Sequence, residues 1–116
     1  MSDTQMLQPV ESTREWGGDS IMALTFYLRG KAWADFGRID LAISDYDAAL
    51  VINPMFTAAL AERGAAWAQT GDFDRAIADY EAALRINPHD ANTRLNLAFA
   101  LDRQYESETR SPAVLN

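Results

Sequence analysis

Few side chains in this sequence are of the types that catalyse reactions or bind metals. His89 is the only histidine and there is no cysteine, so the usual ligands of a zinc site are missing. Asp72 and Asp74 are spaced like the first ligands of a calcium-binding loop, but Ala76 and Ala83 occupy positions where that loop requires oxygen ligands. We interpret His89 as a solvated loop residue. We predict no catalytic residue, no metal site, no cofactor and no enzymatic activity.

Four carboxylates on two predicted helices are the remaining candidates for acid–base chemistry. Asp45 and Asp47 are two residues apart, and so are Asp79 and Glu81. Residues two apart on a helix point in different directions, so neither pair can share a proton or a metal ion. We interpret all four side chains as part of a solvated face.

The overall charge of the chain is strongly negative. The formal net charge is −7, and lysine and arginine form no cluster. Nucleic acids and anionic membranes are bound through basic groups, which neutralise phosphates. No stretch reaches the roughly 18 apolar residues of a membrane-spanning helix, and the polar N-terminus lacks the apolar run of a signal peptide. We predict a cytoplasmic protein that binds neither nucleic acid nor membranes.

The chain contains an internal repeat. Residues 23–56 align without gaps with residues 57–90, and 17 of the 34 aligned pairs are identical. A shared period of this kind indicates two copies of one structural unit, stacked to bury a common core.

Each repeat has the pattern of two helices. Phe26, Gly30 and Trp33 recur on one helical face, and Ala42 and Tyr46 begin a second stripe of the same period. The positions of Gly37 and Gly71 fit the left-handed residue that ends a helix. Asp72 is a good N-cap, whereas Arg38 is a poor one. Each unit is closed by Asn-Pro at 53–54 and 87–88, since the residue before proline is disfavoured in helices.

Two glycines within the first helices indicate close helix packing. Gly30 and Gly64 each cost about 1 kcal/mol relative to alanine in a helix interior. We expect Ala42 and Ala76 of the second helices to face these glycines closely, with the tryptophans three residues later filling the space beside them. We interpret four aromatic residues at repeated positions as core residues rather than as stacking platforms for nucleotide bases: Trp33, Trp67, Tyr46 and Tyr80.

The period and the conserved positions of the unit resemble the tetratricopeptide repeat family. The residues that carry the resemblance are Phe26 and Leu60, Gly30 and Gly64, Trp33 and Trp67, Ala42 and Ala76, Tyr46 and Tyr80, Ala49 and Ala83, and Pro54 and Pro88. Only Arg29 and Arg63 depart from the pattern, which usually has leucine there. The resemblance implies an all-α superhelix of two full repeats and a C-terminal extra helix.

The same alignment predicts the boundaries of the elements. We expect helices near 20–36, 39–52, 57–70, 73–86 and 90–105, with Asp90 capping the last one. The repeat domain spans 19–106 and comprises the repeats 23–56 and 57–90 and the final helix 91–105. Residues 1–18 and 107–116 are polar, and we expect them to be flexible.

Members of the family bind proteins or peptides on a concave face lined by the first helix of each repeat, and the resemblance implies the same here. The predicted lining residues are Tyr27, Lys31, Asp35, Ala61, Glu62, Ala65, Gln69, Asn92, Asn96 and Phe99. The best-known family ligand is the acidic C-terminal tail of a chaperone, held by a clamp of lysine, arginine and asparagine. Glu62 at a clamp position repels a carboxylate, so we predict a different protein or peptide ligand.

The final helix raises a second possibility. Its apolar residues lie nearly all round the helix, as in buried helices. A homodimer joined through Leu95, Phe99 and Leu101 would cover them, although Leu95 and Phe99 could instead line the groove. The leading hypothesis is an adaptor or scaffold for protein–protein interaction. The alternatives are a self-assembling structural protein and, more remotely, the accessory subunit of an enzyme.

Overall fold

A computed structural model describes residues 19–109. These residues form five α-helices and no strand, which confirms the predicted all-α fold. The helices are α1 (Asp19–Asp35), α2 (Ile39–Ile52), α3 (Thr57–Thr70), α4 (Phe73–Ile86) and α5 (Ala91–Thr109). Each helix contacts the next one along the chain, and the first helices also contact one another, α1 with α3 and α3 with α5.

The turns follow the expected capping chemistry. Gly37 and Gly71 have φ angles of 81° and 87°, the left-handed conformation that glycine adopts without steric cost. The Asp72 side chain accepts a hydrogen bond from the Arg75 backbone N–H at 3.2 Å and so caps α4, whereas Arg38 caps α2 with no side-chain bond. The glycine turn is therefore common to both hairpins, whereas the side-chain cap is present only on α4.

The expected close packing at the two glycines is present, but tyrosines rather than alanines occupy the space. A Cβ atom on Gly30 would lie 2.7 Å from the ring of Tyr46, and one on Gly64 would lie 2.7 Å from the ring of Tyr80. The backbone carbonyl oxygen of Ala42 would also lie close to a Cβ atom on Gly30, at 3.2 Å. The prediction was therefore wrong about the main partner, because the tyrosine four residues after each alanine comes closer to the glycine.

The tryptophans are less central than predicted. Tyr46 and Tyr80 are buried, but Trp33 and Trp67 are half-buried at the edge of the core. The guanidinium of Arg75 lies 4.8 Å from the centre of the Trp67 ring, a cation–π contact that shields its outer side. Small residues fill most of the core, where eight alanines are buried and allow the helices to approach closely.

The interpretation of all four helix carboxylates as a solvated face was wrong for two of them. Asp45 and Asp79 are buried. Arg29 donates two hydrogen bonds of 2.8 Å to Asp45, from Nε and Nη2, and Arg63 donates the same pair to Asp79. The two arginines that depart from the family pattern thus pair with aspartates 16 residues later, joining the two helices of each repeat.

The last helix is longer than predicted. Asp90 caps it as expected, since its carboxylate accepts from the Thr93 backbone N–H at 3.3 Å and the Thr93 hydroxyl at 2.8 Å. However, α5 continues to Thr109, so the first residues of the predicted flexible tail are helical. The hydroxyl of Thr109 donates to the carbonyl oxygen of Tyr105 at 3.0 Å within this extension. The predicted flexible segment 1–18 and the rest of the tail lie outside the described residues.

Candidate functional site

The first helices of the repeats, α1, α3 and α5, together line two depressions on one side of the protein. The smaller one has a volume of about 460 Å³ and lies between all three helices. The larger one, of about 690 Å³, lies between α3 and α5 and reaches the start of α4. Ala65 and Asn96 line both, so the two depressions form one continuous surface, which we call the groove.

Most of the predicted lining residues lie on this groove. Seven of them line the smaller depression: Tyr27, Lys31, Ala61, Glu62, Ala65, Asn92 and Asn96. Gln69 and Phe99 line the larger one. Asp35 lines neither depression and is exposed in the last turn of α1. The structure therefore brings nine of the ten residues together, while their role in binding stays a prediction.

The floor of the smaller depression combines small residues with an anchored aromatic ring. Tyr27 is half-buried because its ring packs against Phe56, with ring centres 5.0 Å apart. The ammonium group of Lys31 lies 5.8 Å from the centre of the Tyr27 ring. Ala61 and Ala65 present only methyl groups on α3, so neither side chain fills the space between α1 and α5.

The groove carries charges of both signs: Glu62 and Asp90 are acidic, and Lys31 and Arg103 are basic. Glu62 is half-buried and forms no ion pair with any residue between 19 and 109. Burial raises the pKa of both Tyr46 and Tyr80, and the charge of Glu62 raises each pKa further. Glu62 thus contributes a negative charge to the smaller depression.

Several groove residues were missed by sequence reasoning. Phe73, Tyr80 and Arg103 line the larger depression, and the guanidinium of Arg103 lies 5.5 Å from the centre of the Phe73 ring. Arg103 follows Phe99 by four residues and so shares its helical face, a signal that could have placed it here. Phe73 belongs to a second helix, and only the tertiary structure brings it to the groove.

The described part of the chain contains neither a metal-binding cluster nor a membrane-spanning helix. Among residues 19–109, no three histidine, cysteine or carboxylate side chains are grouped so that they could hold a metal ion. His89 is exposed between α4 and α5. None of the helices in this range is both long and apolar enough to cross a membrane.

Comparison with known proteins identifies the repeat. A family profile described as TPR repeat, the tetratricopeptide repeat, matches residues 64–104, and the internal alignment extends the same pattern back to residue 23. Over the matched residues, the repeats of this chain are therefore of the tetratricopeptide type. This fold is a protein-interaction fold and is generally non-catalytic, so the tetratricopeptide repeats of this chain constitute a protein–protein interaction module.

Solved structures share the fold. Among 42 matching chains, a structure titled "Crystal structure of MamA protein" superimposes with a TM-score of 0.70 at 23% sequence identity. The alignment covers 74% of this chain and 47% of that protein, so the chain spans about half the length of this tetratricopeptide-like neighbour. No curated protein matches the sequence.

Proposed function

We propose that the chain is a non-catalytic adaptor whose groove binds an extended segment of another protein. The observation that carries this proposal is the arrangement of Asn92 and Asn96 on α5 opposite Ala61 and Ala65 on α3, all of them lining one depression. Both asparagines are exposed. Each side-chain amide can donate and accept hydrogen bonds, as an extended peptide backbone requires.

The spacing of the two asparagines suits an extended chain. Residues four apart on a helix are separated by about 6 Å along its axis, and residues two apart in an extended chain are separated by about 6.6–6.8 Å. The two amides are therefore positioned to bind alternate residues of one peptide. The methyl groups of Ala61 and Ala65 leave room for the peptide's side chains on the opposite wall.

The charge of the groove limits the choice of segment. Glu62 forms no ion pair with a residue between 19 and 109, and the ammonium group of Lys31 lies over the Tyr27 ring. An acidic peptide would bring a second negative charge to Glu62, which disfavours binding. The proposed ligand is accordingly a neutral or basic segment.

Comparative capture from the native cell followed by titration tests the proposal. The protein, an Asn92→Ala/Asn96→Ala variant and a Ser44→Ala control are used as baits, because Ser44 is exposed on α2 and outside the groove. Mass spectrometry identifies the captured proteins, and synthetic peptides from them are titrated by calorimetry. We expect saturable binding to the wild type and the control, weakened at least about tenfold in the double variant. Equal affinity for all three would refute the groove as the binding site.

Self-assembly is the second candidate function, and the surface of α5 favours it. Leu95, Phe99, Leu101 and Tyr105 are 57%, 63%, 45% and 67% exposed. Leu95 and Phe99 border the groove, whereas Leu101 lines neither depression. Analytical ultracentrifugation at tens of micromolar protein tests this candidate: a dimer supports it, and a monomer excludes it. For the remote alternative, an accessory enzyme subunit, we find no supporting observation.

A cytoplasmic location remains a prediction. Fractionation of the native cell, followed by immunoblotting of each fraction, tests it directly.

A further inference from the structure

One face of α5 lacks the covering helix that its counterpart on α3 has. In the 34-residue alignment, Ala98 and Leu101 take the positions of Gly64 and Trp67. Gly64 is buried against the Tyr80 ring of α4, but Ala98 and Leu101 are exposed. Within residues 19–109, the side of α3 that α4 covers is thus left open on α5.

This open face has an ordered pattern of three rows, each running along positions i, i+4. The central row consists of a basic, a small and an acidic residue: Arg94, Ala98 and Asp102. The flanking rows carry the large exposed apolar residues: Leu101 and Tyr105 on one side, Leu95 and Phe99 on the other. Rows of this spacing are the ridges that interlock when two helices pack.

The charges of the central row are self-complementary. Arg94 and Asp102 lie four residues before and four residues after Ala98, and neither forms an ion pair with a residue between 19 and 109. A second copy of the row running in the opposite direction therefore presents an aspartate to each arginine. A copy running in the same direction would not.

We propose that this face binds the same face of a second copy of the chain, with the two α5 helices antiparallel and crossing at Ala98. Two helices whose i, i+4 ridges interlock pack with their axes about 8–10 Å apart. Because Ala98 has only a methyl group at the crossing, the axes can be near the lower limit of about 8 Å. Arg94 pairs with Asp102 of the partner subunit, and the two-fold axis repeats the pair. The row of Leu101 and Tyr105 is buried on one side of the crossing. The row of Leu95 and Phe99, which borders the groove, is buried on the other side. This inference rests on the self-assembly candidate above.

A helix that packed like α4 would fit this face less well. The second helices of the repeats pack through tyrosine rings that leave no space for a Cβ atom at the glycine position. Ala98 has a Cβ atom there, so a similarly placed tyrosine would have to move outwards. The α5 helix of a second copy has alanine rather than tyrosine at the crossing, so no ring would have to fit against Ala98.

Charge reversal tests the antiparallel pairing. Dimerisation of the full chain is measured by sedimentation equilibrium for the wild type, Arg94→Glu and Asp102→Arg. Each single variant should raise the dimer Kd about tenfold, because each creates two like-charge contacts. An equimolar mixture of the two variants should recover the wild-type affinity, since the new glutamate then faces the new arginine and the wild-type Arg94 faces the wild-type Asp102.

Arg38→Glu is the matched control for Arg94→Glu, because it makes the same change in net charge at an exposed site just before α2. It should leave the dimer Kd within about twofold of the wild-type value. Circular dichroism checks that all variants are equally helical. A dimer that is unaffected by the single reversals, or a mixture that fails to recover, would overturn this packing mode alone. A monomeric wild type would overturn both this inference and self-assembly, while the groove proposal would stand.

Discussion

Arg63 donates a hydrogen bond of 2.8 Å from Nη1 to Oδ1 of Asp47, a residue of the preceding repeat. The other edge of the same guanidinium holds Asp79 of its own repeat, and these two carboxylates raise the pKa of Arg63. One side chain thus joins α2, α3 and α4.

The first prediction concerns this junction. Arg63→Ala should lower the free energy of unfolding by about 2–4 kcal/mol, because it leaves Asp79 buried without its partner. Asp47→Ala should cost less than about 1 kcal/mol, since Asp47 is exposed. Replacing both members of the buried pair, as Arg63→Leu/Asp79→Ala, should recover most of the loss. Denaturant melts measure the free energy of unfolding of all three variants. Equal losses of stability in Arg63→Ala and Asp47→Ala would contradict the larger role given to the buried pair with Asp79.

The second prediction concerns the contact between Gly64 and Tyr80. Gly64→Ala improves helix propensity by about 1 kcal/mol, but its Cβ atom would overlap the tyrosine ring. Overpacking of this kind costs about 1–3 kcal/mol, so we expect a net loss of stability. In a Tyr80→Ala background the same substitution should instead be neutral or stabilising. Additive effects in this double-mutant cycle, measured by thermal or chemical unfolding, would show that the ring does not limit the site.

The third prediction concerns Asp90. The hydrogen bonds from Thr93 lower the pKa of Asp90 below its ordinary value. Because the pKa of Asp90 is lower in the folded than in the unfolded state, where it is about 3.9, ionised Asp90 stabilises the fold at pH values above about 3.9. This stabilisation is lost as the pH falls through the pKa of the folded state.

Thr93→Val removes the hydroxyl donor and keeps the shape of the side chain, so it should raise the pKa of Asp90 towards the ordinary value. Thr93→Ser keeps the donor and should leave the pKa low. Carbon-detected NMR titration of the Asp90 carboxyl measures both. A pKa that is the same in the valine and serine variants would contradict the capping role of the hydroxyl.

The fourth prediction concerns the charge of the groove. A peptide that ends in an acidic chaperone-like tail should show no saturable binding to the wild type at micromolar concentrations, because Glu62 repels carboxylates. Glu62→Arg should create weak binding of the same peptide, while Glu81→Arg, outside the groove, should not. Calorimetric titration distinguishes these results, and tight binding of the acidic tail to the wild type would refute the expected preference.

The fold was predictable from sequence because the signals that define it are local. Gly37, Gly71 and Asp72 mark the helix ends, and each acts through its own backbone conformation or through the next turn of the chain. The 34-residue period then places the helices as stacked hairpins. The end of α5 was missed because residues 106–109 are polar and carry no apolar period, although a helix tolerates them.

The buried ion pairs were harder to predict because they join residues on different helices. Arg29 and Asp45 are each polar, and each was interpreted by its own type rather than with its partner. A signal was present: both repeats depart from the family pattern with arginine at the same position, and both carry aspartate 16 residues later. The same arginine and the same aspartate in both copies indicate that the two side chains form an ion pair.

The groove was predictable in outline because a lining residue is determined by its face on a first helix. Glu62 and Asn96 could be placed from helical periodicity alone, whereas Phe73 could not, because it lies on a second helix. Asp35 lies in the last turn of α1 and lines neither depression, so its place in the groove stays a prediction.

The bridge between Arg63 and Asp47 bears on how this array can be lengthened by duplication. The arginine position of the third unit holds Leu97, and Glu81 takes the place of Asp47 on α4. Suppose that residues 57–90 were copied once and inserted after residue 90. The copied Arg63 would then lie opposite Glu81, which could accept its hydrogen bond as Asp47 accepts that of the present Arg63. The copied Glu81 would then meet the leucine at the end of the array, as the present one does. The charges at each joint are thus arranged so that tandem duplication can add repeats without any change to the residues already there.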